Sequence, residues 1–267
     1  MNSHPSARLS ATDLSLAYDN RVVIDALSSD IPDAEFTAII GPNGCGKSTF
    51  LRSLARVLAP TRGEISLDGR NLVRYRPKEL ARRISLLPQS PVAPESITVA
   101  ELVARGRFPH QPPFSRWSTA DERAVAEAMQ ATGVTDLSTR YVDELSGGQR
   151  QRVWVAMTLA QEAGILLLDE PTTFLDISHQ LELLDLFARL HRTGRTIVTV
   201  LHDLNHAARY ASHLIVMDQG RIVAEGAPVQ VMTERLVSDV FGVAAVVVAD
   251  PQSGTPLVVP RVRDNTA

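Results

Sequence analysis

The stretch "EFTAIIGPNGCGKSTFLRSLARVL", residues 35 to 58, decides the fold. It begins with a short apolar run typical of a buried strand, and from Phe50 onward its apolar side chains recur at helical spacing. Between the two, "GPNGCGKST" (41 to 49) fits the pattern G-x-x-x-x-G-K-[ST]. A glycine loop at the start of a helix presents backbone N–H groups that bind phosphate, and Lys47 adds a positive charge. We therefore predict a strand, a phosphate-binding loop and a helix.

The segments on either side predict an α/β fold. Residues 8 to 35 alternate polar and apolar side chains, and "GEISLDGRNL" (63 to 72) places Asp-Gly after another strand. Farther along, "GILLLDE" (164 to 170), "RTIVTVLHD" (195 to 203) and "HLIVMDQGRIVAEG" (213 to 226) are apolar runs typical of buried strands. A helical segment separates the first two of these runs. The prediction is a mostly parallel sheet with helices, preceded by a β-rich part.

A second group of helices is predicted between these strands. "TVAELVARGR" (98 to 107) has helical spacing, and "STADERAVAEAMQATG" (118 to 133) begins with Ser118 as a helix cap and ends at a glycine. The prolines of "FPHQPPF" (108 to 114) predict irregular structure between the two helices.

Composition limits the class of protein. The 267 residues, 44% of them hydrophobic, are enough for a globular core, and a net charge of −3 gives no global reason to expect nucleic acid. Cys45 is the only cysteine, which excludes an intramolecular disulfide and favours a reducing compartment. The first fifteen residues lack a signal-peptide core, and the longest apolar run (240 to 249) is half a membrane span. We expect any membrane role to come through a partner.

The apolar stretch "ILLLDE" (165 to 170) ends in two acidic residues. Unpaired charges at the end of a buried apolar strand are costly and therefore uncommon. With a phosphate-binding loop upstream, Asp169 is expected to hold a Mg²⁺ shell and Glu170 to polarise the attacking water. The alternative is that both are solvated loop acids.

Three further polar or aromatic residues follow strands. His202 and Gln89 stand at the carboxyl ends of predicted strands, the edge where open α/β sheets bind ligands. Taken alone, His202 is better interpreted as a structural histidine hydrogen-bonded to a neighbouring loop. Gln89 is either a polar strand end or a ligand for Mg²⁺ or water. Tyr18 ends the first strand and either stacks on an adenine ring or packs on the sheet.

The stretch "LSGGQRQR" (145 to 152) puts a serine and two glycines directly before a predicted helix, which is a second potential anion site. With these motifs, nearly the whole chain resembles the ATP-binding subunits of ABC transporters. In that family "GPNGCGKST" is the Walker A motif, "LSGGQ" is the signature motif and "ILLLDE" is the Walker B strand.

This resemblance implies the fold of a P-loop NTPase, α/β with a mostly parallel sheet, an N-terminal antiparallel β subdomain and an inserted α-helical subdomain. It places a single ATPase domain at residues 8 to 250, with the helical insert at 92 to 162 and a C-terminal tail at 251 to 267.

The resemblance also implies ATP and Mg²⁺ as ligands and assigns residues to them. Glu170 is the catalytic glutamate, His202 the switch histidine and Gln89 the Q-loop glutamine. The implied Mg²⁺ ligands are Ser48, Gln89 and Asp169. The residues implied to contact ATP are Tyr18, Gly41, Pro42, Asn43, Gly44, Cys45, Gly46, Lys47, Ser48, Thr49, Ser146, Gly147, Gly148, Gln149 and the D-loop aspartate Asp176.

Two copies pair head to tail in this family, so that the signature motif of one chain closes over the ATP held by the other. This arrangement implies a homodimer and explains why one chain carries two phosphate cradles. The D-loop reads "TFLD" where many relatives have S-A-L-D, so Phe174 replaces a small residue and contacts across the dimer are expected to differ.

The segments "RGRFPHQPPFSRW" (105 to 117), "ISHQ" (177 to 180) and "HDLNHAARYA" (202 to 211) narrow the resemblance to importers of ferric siderophores, close to the ferric enterobactin type. The chain also resembles the ATPase subunits of vitamin B12 and haem importers, more closely than those of any exporter. The implied partners are transmembrane permease subunits, which would contact residues 90 to 110, and indirectly an extracytoplasmic substrate-binding protein. The implied location is the cytoplasmic face of the bacterial inner membrane, as a peripheral protein.

Two other classes fit less well. Soluble ABC-type ATPases that act on DNA carry long coiled coils, and those that act on the ribosome usually carry two cassettes in one chain. The sequence has no coiled-coil heptads and one glycine loop of this type. A nucleotide or small-molecule kinase shares the glycine loop but has no use for "LSGGQ".

Overall fold

An antiparallel sheet lies beside a largely parallel one in the computed structural model, which describes residues 7–19, 21–112 and 116–262. The antiparallel sheet has the strand order β2 (Arg21–Pro32), β1 (Ala7–Tyr18), β4 (Arg62–Leu67), β5 (Arg70–Asn71). The larger sheet has the order β10 (Arg221–Gly226), β9 (His213–Asp218), β3 (Phe36–Ile40), β8 (Thr196–Val200), β7 (Ile165–Asp169), β6 (Ile84–Leu87). Its strands are parallel from β9 to β6, and β10 pairs antiparallel with β9.

The helices cover the larger sheet and connect its strands. They are α1 (Lys47–Leu54), α2 (Pro77–Ala81), α3 (Val99–Ala104), α4 (Thr119–Ala131), α5 (Gly147–Ala160), α6 (Ile177–Arg192), α7 (Leu204–Tyr210), α8 (Pro228–Val231) and α9 (Glu234–Phe241).

The central strands β3, β7 and β8 are mostly apolar and fully buried because both faces of the larger sheet are covered. In β3, Phe36 and Ile40 pack into one hydrophobic cluster with α5 and α6, whereas Ile39 packs into a second cluster with α1 and the antiparallel sheet. The alternation has the two-residue period of a strand. Helix α1 therefore lies between the two sheets, and the loop before it is fixed from both sides.

Helices α3, α4 and α5 are inserted between β6 and β7, which are neighbours in the sheet. Ser118 caps α4 in a capping box with Asp121, as its position in the sequence predicts. The α/β class with its antiparallel subdomain and helical insert is confirmed.

Two local predictions were wrong. Phe108, Pro109 and His110 lie in a 3₁₀ helix (Arg105–His110), which tolerates the proline that an α-helix would not, although residues 113–115 of the same stretch lie outside the described residues. The helix after the glycine loop ends at Leu54 rather than continuing to Leu58. There the chain turns at Arg56, which has φ +56° and whose guanidinium donates to the carbonyl oxygens of Leu72 and Tyr75.

The apolar run over 240 to 249 divides between the end of α9 and a strand, β11 (Ala245–Ala249), which pairs antiparallel with β12 (Pro256–Pro260). The domain boundary predicted after residue 250 falls in the turn of this hairpin. Within the described ranges, no helix has the length and apolar character needed to cross a membrane.

A buried ion pair ties the inserted helices together. Arg107 is 4% exposed and donates from Nε to Asp121 Oδ1 (2.9 Å), and from a terminal nitrogen to Glu162 Oε2 (2.6 Å) and the Ala160 carbonyl (2.7 Å). Burial alone raises the pKa of Asp121, but the hydrogen bonds from Ser118 and Arg107 outweigh it, so the pKa lies below its ordinary value.

Replacing Arg107 by methionine is therefore expected to lower the free energy of unfolding by about 3 kcal/mol at pH 7, because Asp121 would stay buried without its cation. A lowered carboxyl pKa stabilises the fold above its unfolded-state pKa, and that contribution disappears as the pH falls through the folded-state value. The deficit of Arg107→Met in urea unfolding should thus persist from pH 7 down to about pH 4 and narrow only as the pH falls further, through the lowered pKa of Asp121. Arg123→Met, which removes an exposed ion pair on α4, is the control; equal losses in the two variants would refute the assignment.

Candidate functional site

The glycine loop joins the carboxyl end of β3 to α1 and needs its glycines for two separate reasons. Gly46, the cap of α1, has φ +106°, a conformation that side chains rarely adopt. A Cβ on Gly41 would lie 2.1 Å from the carbonyl oxygen of Met217 in β9. Gly44, with φ +77°, has open space where its Cβ would be. The loop thus leaves its inner face clear for a phosphate at the helix N-terminus.

Lys47, the first residue of α1, places a buried charge inside this loop. Lys47 is only 5% exposed, and its Nζ donates to the carbonyl oxygens of Gly41 and Pro42 at 2.9 Å each. Both partners are neutral, so the ammonium charge is available to an anion held by the loop.

The end of β7 brings Asp169 against the loop. The strand is fully buried, and Asp169 Oδ1 accepts a 2.7 Å hydrogen bond from the Ser48 hydroxyl. Its Oδ2 is buried and has no hydrogen-bond partner among the described residues, while a nitrogen of Arg52 lies 3.6 Å away. Burial raises the pKa of the Asp169 carboxyl, and the Ser48 hydrogen bond and Arg52 act in the opposite direction. The site is short of positive charge at this oxygen.

Glu170 and His202 meet at the same sheet edge because β7 and β8 are neighbours. His202 Nε2 lies 2.7 Å from Glu170 Oε1. Glu170 has φ +53°, an uncommon conformation for a residue with a side chain, and such backbone strain is concentrated at functional sites. The carboxylate is 11% exposed and the imidazole 47%, so the pair faces the solvent on the histidine side.

A single cleft of about 930 Å³ contains most of the predicted site residues. Tyr18, 43% exposed, stands at its wall, and Gln89 lies just beyond the end of β6. The cleft is lined by Tyr18, Arg21, Val22, Val23, Asn43, Gly44, Gly46, Lys47, Ser48, Thr49, Gln89, Glu170, His202, Gln219 and Gly220. Residues from the ends of several strands therefore converge on the glycine loop.

The signature motif is not part of this cleft. Ser146 caps α5 in a capping box: its hydroxyl accepts from Gln149 N (3.3 Å), and Gln149 Oε1 accepts from Ser146 N (3.1 Å). The residues at the start of α5 do not line the cleft that contains the glycine loop of their own chain. The glycine loop and the signature motif are therefore two separate candidate anion sites on one chain.

Asp176 also lies outside the cleft, as the cap of α6. Its Oδ1 accepts from His179 N (2.9 Å) and lies 2.7 Å from His179 Nδ1, and these hydrogen bonds lower the pKa of Asp176. Phe174 is 75% exposed with φ +67°, and a Cβ on Gly147 of the signature motif would lie 3.4 Å from its Cβ. Phe174 and the signature motif therefore form one surface.

The turn that supports the glycine loop was not predicted from the sequence. Gly220 donates from its backbone N to the Cys45 carbonyl (3.0 Å), and a Cβ there would lie 2.2 Å from the Val23 carbonyl oxygen. Gln219 and Gly220 follow β9 in the sequence "MDQGR". A glutamine and a glycine directly after a strand could have indicated this turn from the sequence. Arg21, Val22 and Val23 in β2 carry no comparable signal.

The fold and the cleft define a P-loop nucleotide-binding ATPase. The profile of the family described as "ABC transporter" matches residues 24–173, more than half of the chain. The chain belongs to this family.

The ferric enterobactin transport ATP-binding protein FepC of Escherichia coli (strain K12) is 57% identical over 255 residues, which cover 95% of this chain and 94% of the relative. The probable siderophore transport system ATP-binding protein YusV of Bacillus subtilis (strain 168) is 52% identical, covering 96% of this chain and 93% of the relative. Among solved structures, the dimeric post-hydrolysis state of the ATP-binding cassette MJ0796 bound to ADP and phosphate superposes with a TM-score of 0.73. It is 26% identical and covers 82% of this chain and 98% of its own.

Proposed function

We propose that this chain hydrolyses ATP to drive the import of a ferric siderophore through a separate transmembrane permease. The observation that carries the proposal is the convergence of Lys47, the Ser48–Asp169 pair and the Glu170–His202 pair on one cleft. The similarity to siderophore transport ATPases supports the choice of cargo over vitamin B12 or haem.

ATP would lie with its phosphates on the glycine loop, contacted by residues 41 to 49, and its adenine ring beside Tyr18. Lys47 would leave its carbonyl partners for the β- and γ-phosphates. The 2.9 Å distances from Lys47 Nζ to those carbonyl oxygens put the ammonium within reach of an anion on the loop.

The oxygen atoms at the end of β7 suit Mg²⁺, a hard cation that prefers carboxylate and hydroxyl ligands. Ser48 and Asp169 are already in contact, Asp169 Oδ2 is buried without a hydrogen bond in the described part of the chain, and Gln89 lines the same cleft. These three residues would hold the ion. Bound Mg²⁺ neutralises charge that develops on the phosphate oxygens.

Glu170 would accept a proton from the attacking water, and His202 would hold the Glu170 carboxylate in place and contact the γ-phosphate. The 2.7 Å contact between the two side chains supports this division of roles. A general base of this kind contributes about 10²- to 10⁴-fold to rate.

A second copy of the chain would complete the site. Ser146 to Gln149 and Asp176 lie outside the cleft of their own chain, and N–H groups at the start of a helix attract anions. In a head-to-tail dimer they would close over the γ-phosphate held by the partner, and hydrolysis would release that contact and open the dimer.

The division of the chain follows from these roles. Residues 8 to 250 would form one ATPase domain, in which the insert at 92 to 162 carries the signature motif and, near residues 90 to 110, contacts the permease. The permease would receive its cargo from an extracytoplasmic binding protein, and the ATPase would lie on the cytoplasmic face of the inner membrane. No role for nucleic acid is proposed.

Iron uptake by cells whose only copy carries Lys47→Ala tests the proposal. The loss of charge-assisted hydrogen bonds to phosphate is expected to weaken nucleotide binding by about 10- to 100-fold and to abolish uptake of a radiolabelled ferric catecholate. Labelled cobalamin is measured in parallel.

Arg235→Ala, which removes a positive charge from a fully solvated position on α9, is the matched control and should leave uptake unchanged. Loss of cobalamin uptake alone would support ATP-driven import but contradict the assignment of a ferric siderophore as the cargo. Unchanged uptake of both compounds would contradict the proposed function.

A further inference from the structure

Helix α7 begins two residues after His202, with Asp203 as its cap between them, so the placement of this short helix helps to fix where the imidazole lies. Asp203 caps the helix, accepting from His206 N at 2.8 Å, and Ala207 and Ala208 are fully buried against the core. Tyr210, at the other end, donates to Asp185 of α6 (3.0 Å). The core and α6 thus hold the middle and the far end of α7, while its first turn is held elsewhere.

The first turn of α7 is held by the C-terminal hairpin through Asn205. Its Oδ1 accepts from Val258 N (2.7 Å), and its Nδ2 donates to Val258 O (3.2 Å). The side-chain amide thereby satisfies both backbone groups of one residue in β12, as a neighbouring strand would. An amide side chain carries both a donor and an acceptor, which a carboxylate or an aliphatic side chain cannot supply.

The hairpin has its own attachment to the rest of the domain. Ala245 and Val258 are 5% and 7% exposed and belong to the main hydrophobic cluster. The backbone N of Val247, in β11, donates to Glu234 Oε1 of α9 (3.3 Å), whereas Asn205 contacts the other strand of the hairpin, β12. The hairpin is therefore an anchored element against which α7 is positioned, rather than a flap that depends on Asn205.

We infer that Asn205 is a positioning residue for ATP hydrolysis: by pairing with Val258 it fixes the first turn of α7 and so holds His202 against Glu170. The inference rests on the proposed roles of Glu170 and His202. Asn205 does not line the nucleotide cleft, so its loss leaves the contacts to ATP in place. The pairing also gives the segment after residue 244 a role in positioning the catalytic site.

The test is a double-mutant cycle with Asn205→Ala, His202→Ala and the double variant. The measured quantities are kcat and KM for steady-state ATP hydrolysis by the purified protein. Asn205→Ala is expected to lower kcat about tenfold, since small displacements of catalytic groups have effects of that order, and to change KM for ATP less than twofold. In the His202→Ala background the second substitution should have no further effect.

Two more variants separate positioning from folding. Asn205→Asp keeps the acceptor for Val258 N but loses the donor, and it should lower kcat with a thermal midpoint closer to that of the unaltered protein. Ser253→Ala, which removes an exposed hydroxyl contact to Thr255 in the turn of the same hairpin, should leave kcat unchanged.

Each other outcome overturns the inference. If His202→Ala lowers kcat but Asn205→Ala and Asn205→Asp do not, only the positioning role fails. Additive losses in the double variant would show that Asn205 acts by a route other than His202. Unaltered turnover in His202→Ala would remove the proposed catalytic role itself and the positioning role with it.

Discussion

Glu170→Gln should reduce ATP hydrolysis by about 10²- to 10⁴-fold while leaving nucleotide affinity nearly unchanged. The amide has the size of the carboxylate and lies at the same position beside His202, but it does not accept a proton at neutral pH. It also removes one negative charge from beside the bound phosphates, so affinity is expected to stay equal or to rise slightly. The measurement is kcat for ATP hydrolysis together with the equilibrium affinity for ATP.

Glu127→Gln supplies the control for this prediction. It makes the same chemical change at an exposed position on α4, where the carboxylate only pairs with Arg123 in solvent. Its kcat should match that of the unaltered protein. Equal hydrolysis rates in Glu170→Gln and the unaltered protein would remove Glu170 from its role.

Ser146→Arg is expected to lower hydrolysis by about 10²-fold or more with ATP binding by the single chain intact. The arginine places a large cation at the start of α5, where the proposed partner's γ-phosphate would approach, and disrupts the close fit that backbone N–H groups provide. Ser146 lies outside the cleft of its own chain, so the contacts that bind ATP there persist. The measurement is ATP affinity under conditions of single-chain binding and kcat in the same preparation.

Ser118→Arg is the matched control, because Ser118 caps α4 with the same capping-box geometry and is likewise exposed. Both substitutions remove a helix cap, which lowers the free energy of unfolding by about 1 kcal/mol. Only Ser146→Arg should abolish hydrolysis. Unaltered hydrolysis in Ser146→Arg, or an equal loss in both variants, would argue against a site shared between two chains.

The sequence predicts which residues meet around the glycine loop because parallel strands end at one edge of a sheet. Asp169, His202 and Gln89 each follow a recognisable apolar strand, so their convergence on the glycine loop required only the fold class. The pairing of His202 with Glu170 at 2.7 Å depends on the neighbouring positions of β7 and β8 and on the strained backbone of Glu170. Neither is visible in residue spacing.

Features that depend on contacts distant in sequence were not predicted. Helix α1 ends at Leu54, and Arg56 just beyond it, with φ +56°, donates to carbonyl groups sixteen and nineteen residues away. The turn at Gln219 and Gly220 supports the glycine loop through the Cys45 carbonyl. Asn205 gave no signal because its partner in β12 is fifty-three residues away.

The most direct test of the shared site is the molar mass of Glu170→Gln in solution with ATP and Mg²⁺, compared with the same protein in ADP. We predict twice the mass of one chain in ATP and the mass of a single chain in ADP, because hydrolysis can no longer remove the contact between the two chains. Adding Ser146→Arg to the same chain should return the mass to that of one chain even in ATP. A mass that is independent of ATP, or a doubled mass that survives Ser146→Arg, would contradict the shared site.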